Sequence, residues 1–300
     1  MDSTDLMVFE AVARTGGITR AAGELCTVQS NVTARIRLLE QELGVPLFHR
    51  HSRGVMLTSA GTMLLPYANK VGVLIAEAAQ VVTDASTPRG PLRIGSLETT
   101  AARRLPPVLV SYSTTYPDVD LTLKTGTTAE LITEVVEHRL EGALVVGPVH
   151  HPDLIEEPII SEELVVVTAP AFRSLDTALQ GERVLKILVL RAGCSYRQRL
   201  ERLLELRGIA GARVLEFGTI DGIVGCAAAG IGVTLLPRAV VEPAWQAGRI
   251  AVHDLSAQEA HVENVFIRRR GGFTSAALAR FIEACRAAGV EASPVAPFAE

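Results

Sequence analysis

Residues Gly16–Gly61 read GGITRAAGELCTVQSNVTARIRLLEQELGVPLFHRHSRGVMLTSAG. Apolar spacing in and just before this stretch is helical, and the helices are short. Leu6, Phe9, Val12 and Ala13 form one stripe, Ala21, Ala22 and Leu25 a second, and Val32, Ile36, Leu39 and Leu43 a third. Gly16-Gly17 ends the first helix, Thr27 is placed to cap the third, and Gly44 followed by Pro46 stops it. Two short helices joined by a tight turn, the second polar near its start, make a helix-turn-helix whose second helix can enter the DNA major groove. The side chains offered to base edges are Gln29, Ser30, Asn31, Thr33 and Arg35. Gln and Asn pair bidentately with adenine, and Arg with guanine.

Immediately downstream, Pro46–Thr58 alternates like a hairpin and carries Arg50, His51 and Arg53. It reads as a wing whose cations meet phosphates or the minor groove. Val28–Thr58 holds four Arg against two Glu, whereas the whole chain has a net charge of -4. Basic charge is therefore concentrated where DNA contact needs it. A three-helix packing domain with no DNA role has the same spacing and stays open at this level.

Further along, Leu64, Ala68, Val71, Ile75, Ala78 and Val82 recur at steps of four and three. This is a coiled-coil seam, or the inner face of a helix lying on its own domain. Thr83–Pro91 is a linker rich in small residues, Pro and Gly. Beyond it, strand-like runs (LRIGS, VDLTLK, GALVV, ELVVVT, ILVL, RVLEF, GVTLLP, ENVFIR) alternate with helical stretches at Leu105–Tyr112, Thr128–Arg139, Tyr196–Arg207, Ile220–Ala229 and Ser275–Ala288. The alternation predicts mostly parallel sheets with helices on both faces, in two lobes, the chain crossing near Ile159–Glu162 and returning near Val262–Arg268. The expected division is a winged helix-turn-helix over 1–61, a linker helix over 62–87 and a two-lobed α/β domain over 88–300. Within that domain, lobe I takes about 91–160 and 267–300, and lobe II about 161–266.

Composition sets outer bounds. At 300 residues and 48% hydrophobic content, two domains with sizeable cores are expected and wholesale disorder is excluded. A net charge of -4 argues against coating nucleic acid or membrane through bulk charge. Cys26, Cys194, Cys226 and Cys285 lie far apart, and the acidic start MDSTDLMVFEAV is unlike a secretory leader, so reduced thiols in a cytoplasm are expected. Gly222–Pro237 is too short and too broken by Gly to span a bilayer, and reads as a buried helix followed by a buried strand. No membrane partner is expected.

In two-lobed open α/β domains, ligands bind beyond the carboxyl ends of strands, where the lobes meet. That rule selects Ser96, Thr99 and Thr100 after the first strand and Thr125 and Gly126 after the second. In the other lobe it selects Cys194 and Ser195, and Gly218 and Thr219. Ser, Thr and Gly at helix N-termini favour an anion such as a small carboxylate; each is equally an ordinary N-cap. Arg197 is a possible counter-charge or a solvated helix residue, and Cys194 a thiol sensor or a small packing residue. Catalytic signatures are missing: Ser195 lies in GCSYR rather than G-x-S-x-G, and Gly230-Ile-Gly232 sits between helix and strand in the wrong order for a dinucleotide loop. His49/His51 and His150/His151 lack the spacing of a metal site. No enzyme activity, metal or cofactor is expected.

The N-terminal run resembles the signature of the LysR-type transcriptional regulators. The resemblance is carried by Thr19-Arg20-Ala21-Ala22, Gln29, Val32-Thr33, Leu39-Glu40 to Leu43-Gly44, Pro46-Leu47-Phe48-x-Arg50, Arg53-Gly54 and Leu57-Thr58-x-Ala60-Gly61. It departs from the family's pattern at Val28, where Ser is frequent, at Ser30, where Pro is common, and at Ala34, where Arg is frequent. These departures remove a hydroxyl and an Arg that could meet the DNA backbone. The resemblance implies a winged helix-turn-helix in which Thr19 and Arg20 also approach DNA, a dimerising linker helix, and an effector domain like a periplasmic binding protein. It further implies promoter DNA as partner, pairs of dimers forming a homotetramer, and control by a small-molecule effector. A ligand-independent architectural DNA binder, and a solute-binding or enzymatic α/β protein with an appended helical domain, are the alternatives.

Overall fold

The computed structural model describes residues 1–51, 54–83, 87–179 and 184–291. Its first helix, α1 (Ser3–Thr15), opens with a reciprocal cap: the Asp5 amide donates to Asp2 Oδ1 at 2.8 Å and the Asp2 amide to Asp5 Oδ2 at 3.2 Å. Gly16 ends it in the left-handed conformation. The next two helices are α2 (Ile18–Glu24) and α3 (Gln29–Leu43). Leu6, Phe9 and Val12, then Ala21 and Ala22, then Val32, Ile36 and Leu39 meet in one core that Leu47 and Phe48 complete.

Thr27 is not the cap of α3. The cap position falls on Val28, with no side-chain bond, and the Thr27 hydroxyl instead accepts from Asn31 Nδ2 at 3.0 Å. The cause lies one residue back, where Cys26 turns through the left-handed region (φ 50°) and delays the helix start by a residue.

Two strands, β1 (Phe48–His51) and β2 (Gly54–Leu57), pair antiparallel, with Phe48 opposite Leu57 and His51 opposite Gly54. Glu40 of α3 pins the base of this hairpin by accepting from the amides of Leu47 (2.8 Å) and Phe48 (3.3 Å). Thr58 closes it from the other side. Its hydroxyl donates to the Pro46 carbonyl at 2.7 Å and accepts from the Gly61 amide at 3.0 Å, which also starts the long helix α4 (Ser59–Thr83). Gly61 itself lies so close to Leu47 that a Cβ there would run into the Leu47 carbonyl oxygen.

Along α4 the heptad positions divide. Ala68 is buried in the head's core with Leu64 and Val71 packed against it, whereas Ile75, Ala78 and Val82 are exposed, Val82 to 85%. Among the described residues no helix is long and apolar enough to cross a membrane.

The second unit begins with β3 (Gly90–Ser96), α5 (Glu98–Arg103), α6 (Leu105–Thr115), β4 (Val119–Thr125), α7 (Thr128–Val136) and β5 (Gly142–Val146). The strand β6 (Leu154–Thr168) leads into α8 (Leu175–Leu179), β7 (Lys186–Val189), α9 (Ser195–Leu206), β8 (Arg213–Glu216) and α10 (Ile220–Ala228). Then come β9 (Thr234–Pro237), α11 (Arg238–Gln246), β10 (Ala251–His253), α12 (Ala257–Ala260), the returning strand β11 (His261–Arg269) and α13 (Ala276–Glu291). The main sheet runs β10-β6-β11-β5-β3-β4, with β9 also on β6, and β7-β8 forms a separate pair.

The expectation of mostly parallel sheets does not hold: β3-β4, β3-β5 and β7-β8 are parallel, but β5-β11, β6-β11, β6-β9 and β6-β10 are antiparallel. Both β6 and β11 cross between the lobes, and strands running out and back along one path must oppose each other. Their register shifts between Asn264 and Val265.

Strand alternation sends Leu92, Ile94, Leu144 and Phe266 to one face of lobe I, against Leu105, Val108 and Tyr112 of α6 and Phe281 of α13. Ala143, Val145, Val265 and Ile267 point to the other face, against Leu131 and Val135 of α7, in a cluster that continues into lobe II through Cys194, Tyr196 and Leu200. At the crossing the buried carboxylate of Glu162 accepts from Asn264 Nδ2 (2.7 Å), Arg104 Nε (3.2 Å) and the Tyr196 hydroxyl (3.5 Å). The first donor belongs to β11, the second to lobe I and the third to lobe II.

Two substitutions test these constraints. Gly61→Ala forces the hairpin away from α4 and should cost about 1–3 kcal/mol, read as an earlier melting transition of the full chain by circular dichroism. Glu162→Ala leaves the buried Asn264 amide and Arg104 without their acceptor and should cost about 1–3 kcal/mol; Glu162→Gln, which retains an acceptor oxygen, should cost less. Unchanged melting for either alanine variant would contradict the assigned packing.

Candidate functional site

On the head, α3 buries Val32, Ile36 and Leu39 and turns Gln29, Ser30 and Asn31 outward, with Thr33 half-buried. Arg35 is occupied. Its Nη1 lies 2.8 Å from Asp5 Oδ1 and 3.9 Å from Asp2 Oδ2, tying α3 to the start of α1. Arg20 is also committed: Nε donates to the Thr15 carbonyl at 2.7 Å and the guanidinium covers Gly16 and Gly17, while neighbouring Thr19 is exposed. Arg37 was missed by sequence reasoning. It is exposed, has no ion-pair partner among the described residues, and lies one helical step beyond Thr33 on the same side of α3. On the hairpin, His49 and His51 are both exposed, ring centres 6.4 Å apart, because strand alternation buries Phe48. Arg53 lies outside the described residues, as does the side chain of Arg50.

The residues expected around the cleft separate into three groups. Ser96, Thr99 and Thr100 are buried, and the Ser96 hydroxyl turns back to the Leu97 carbonyl at 3.1 Å. The Thr100 hydroxyl has no hydrogen-bond partner among the described residues. Thr125 is exposed and Gly126 half-buried, and the helix that follows them is closed by its own side chains: the Thr127 amide donates to Glu130 Oε2 at 2.9 Å and the Glu130 amide to Thr127 Oγ1 at 3.3 Å. Gly218 and Thr219 are exposed, and Thr219 caps α10 by accepting from the Gly222 amide at 3.2 Å.

The third group lies where the lobes touch. Cys194 is the N-cap of α9 without a side-chain cap bond, and Ser195 Oγ donates to Thr128 Oγ1 across the lobes at 2.8 Å. Beside them the Ala129 amide meets the Gly193 carbonyl at 3.4 Å. Gly193 is required here, since a Cβ on its left-handed backbone (φ 90°) would sit 2.9 Å from Thr127 Oγ1. Arg197 points elsewhere, paired with Glu201 (3.0 Å) and Glu216 (3.3 Å). Burial pushes the Cys194 thiol above its ordinary range and raises that of Cys285 to about 12.

From this junction a cavity of about 620 Å³ opens between α7, the loop Gly147–His151 and α9. Thr128, His150, His151, Ser195, Arg199 and Arg202 are among its lining residues. Among the described residues no three His, Cys, Asp or Glu side chains gather to hold a metal ion.

Comparison with known proteins fits both halves of this arrangement. Residues 3–62 match the family described as "Bacterial regulatory helix-turn-helix protein, lysR family" and residues 85–289 the "LysR substrate binding domain". The chain is 43% identical over 277 residues to the HTH-type transcriptional regulator GltR of Bacillus subtilis, covering 92% of this chain and 93% of that protein. It is 40% identical over 284 residues to the HTH-type transcriptional regulator CzcR of Bacillus cereus, covering 94% of this chain and 96% of that protein. In fold it resembles a full-length single-substitution variant of OxyR from Pseudomonas aeruginosa (TM-score 0.71, 21% identity, 96% of this chain and 94% of that chain). It likewise resembles CbnR complexed with its target DNA (TM-score 0.67, 23% identity, 96% and 100%). GltR and CzcR are transcriptional regulators, and the matched family is one of regulators rather than enzymes. With a helix-turn-helix at one end, the long helix α4 after it and a two-lobed α/β effector domain beyond, the chain belongs to the LysR family of DNA-binding transcriptional regulators.

Proposed function

We propose that this regulator reads promoter DNA through α3 and the hairpin, and that a small anionic effector bound between its two lobes controls that reading. The division into a head over 1–61, a linker helix over 62–87 and a receiver over 88–300 is part of the proposal. The observation that carries the DNA half is the outward face of α3, where Gln29, Ser30 and Asn31 stand free of the core beside a hairpin presenting His49 and His51. Asn and Gln pair bidentately with adenine, and wing cations meet phosphates. CbnR, whose fold this chain shares, was solved on its target DNA, which supports the same use of the head here.

The effector half is supported by the Thr128–Ser195 bond between lobes and the metabolite-sized cavity beside it. Assembly through α4 into dimers, and of dimers into tetramers, is supported by the exposure of Leu74, Ile75, Val81 and Val82. Work is expected in the cytoplasm. Retention of sheared genomic DNA by the purified chain, sequenced and repeated at two salt concentrations, tests the reading. Enrichment of a few promoter fragments with an interrupted palindrome is expected, and uniform or absent enrichment overturns it.

Substitutions in α3 separate two roles. Gln29→Ala should weaken binding to the enriched fragments by about 1–3 kcal/mol and leave non-specific retention unchanged. Arg35→Ala should instead lower the melting temperature, by about 0.2–1 kcal/mol of stability for a partly exposed pair, with base preference retained; a specificity change without destabilisation would reassign Arg35 to base reading. A separate prediction concerns the thiols. Iodoacetamide at neutral pH should label exposed Cys26 and spare Cys194 and Cys285 until the chain is unfolded, because burial disfavours their thiolates. Native labelling of Cys194 at the rate of Cys26, read by mass spectrometry, would restore a thiol-sensing role.

A further inference from the structure

We infer that the cavity beside the Thr128–Ser195 junction takes a small anion bearing two or more negative charges, gripped at one end by the two hydroxyls and at the other by Arg199 and Arg202. This rests on the receiver reading above and names the chemistry of its ligand. The cavity, about 620 Å³, lies within the ordinary range for small-molecule sites, and its walls come from both lobes.

The arginines of α9 and its C-terminal end fall into two classes. Arg197 is paired with Glu201 and Glu216, and Arg207 with Glu259 at 2.9 Å. Arg199 and Arg202 line the cavity and have neither ion pair nor hydrogen bond among the described residues. At 1.5 Å rise per residue, Arg202 starts about 10 Å along the helix from Ser195, and helical side chains lean back towards the N-terminus. Both side chains thus stand on the same wall of the cavity as Ser195, further along it. Guanidinium presents parallel donors that match a carboxylate or a phosphate.

The remaining wall groups agree with this polarity. Of the lining carboxylates, Glu201 is neutralised by Arg197, and Glu205 sits a further turn beyond Arg202, at the end away from the hydroxyls. The Ser195–Thr128 bond uses one of the two hydroxyl protons, which leaves the other to donate to a ligand. Across the cavity His151 Nδ1 accepts from the Asp153 amide at 3.2 Å, which makes Nε2 the ring nitrogen that carries a proton to donate. The loop bearing it is held by the Val149 amide on Glu156 Oε2 at 2.7 Å. Donors thus stand at two places along the cavity, the hydroxyls where the lobes meet and the guanidinium groups further along α9, with the Gln198 amide on the wall between them, so a singly charged ligand satisfies one place and leaves the other unmet.

Isothermal titration of the full chain with citrate, succinate, inorganic phosphate and acetate, at matched ionic strength, tests this. At least one multiply charged anion should bind ten-fold or more tightly than acetate. Each charge-assisted contact is worth about ten-fold or more, so Arg199→Ala/Arg202→Ala should lose about 100-fold while keeping the unliganded melting temperature and the retention of DNA. A response confined to phosphate assigns a phosphorylated ligand, and one confined to citrate or succinate assigns a polycarboxylate. Acetate binding as well as the others, no binding by any of them, or an undiminished response in the double variant overturns the inference. Failure of DNA retention in the unmodified chain would overturn the regulator reading and leave the titration interpretable by itself.

Discussion

The receiver depends on one ladder. β11 pairs with β6 along its whole length, and β6 runs on to hold β9 and β10, so the packing on either side hangs from the same pair of strands. Glu162 is set into that ladder with a carboxylate removed from water. Its donors come from β11, lobe I and lobe II, with Asn264 and Arg104 the close ones and the Tyr196 hydroxyl at the outer limit of a hydrogen bond. A buried ion of this kind contributes little net stability over an apolar replacement, but removing one partner is costly. The physical consequence is a preference for one relative placement of the lobes. Arg103 adds to it by donating from lobe I to the Ala239 carbonyl of lobe II at 3.0 Å.

The head shows a comparable division of labour in a smaller space. Its polar side chains are sorted between those used inside and those left for a partner. Glu40 and Thr58 hold the hairpin on the helices, and Arg35 holds α3 on α1. What remains outward on α3 is a short set of uncharged polar residues followed by Arg37. Base reading by uncharged amides requires accurate placement, and the internal ties supply the rigid base from which it is possible.

Local pattern made the helices of the head, the hairpin and most of the strands legible in the sequence, because apolar spacing is a property of neighbours. Strand direction was not legible: whether β6 opposes β11 is decided by a crossing about a hundred residues apart in the chain. The short β10 and the Pro-containing α11 were passed over, since three residues carry no period and Pro243 interrupts a helical reading. Thr27 looked like a cap because its residue type is right, and the left-handed turn at Cys26 moved the helix start past it. Arg199 and Arg202 could not be distinguished from Arg197 by sequence, because what separates them is the tertiary placement of Glu216 and of a shared cavity.

The cleft residues show why hydroxyls at helix starts are ambiguous signals. A Ser or Thr there can serve the helix or a ligand, and the difference lies in whether another side chain already answers the first-turn amides. Glu130 does so for α7 and Thr219 for α10, so the partial positive charge of those termini is already met within the chain. α9 differs. Its cap position is Cys194, whose buried thiol is a weak acceptor, and the hydroxyl that follows reaches across to the other lobe. α9 therefore combines a positive helix end and a bond that both lobes share in its first turn with two arginines, Arg199 and Arg202 in the turns that follow, that have no ion pair among the described residues. On the lobe II side, α9 supplies Ser195, Arg199 and Arg202 to the cavity wall. Its donors reach the hinge through Tyr196, one residue from Ser195, and the carboxylate of Glu162. Any anion that pulls on α9 thus acts on the residue next to the ladder on which the two lobes depend.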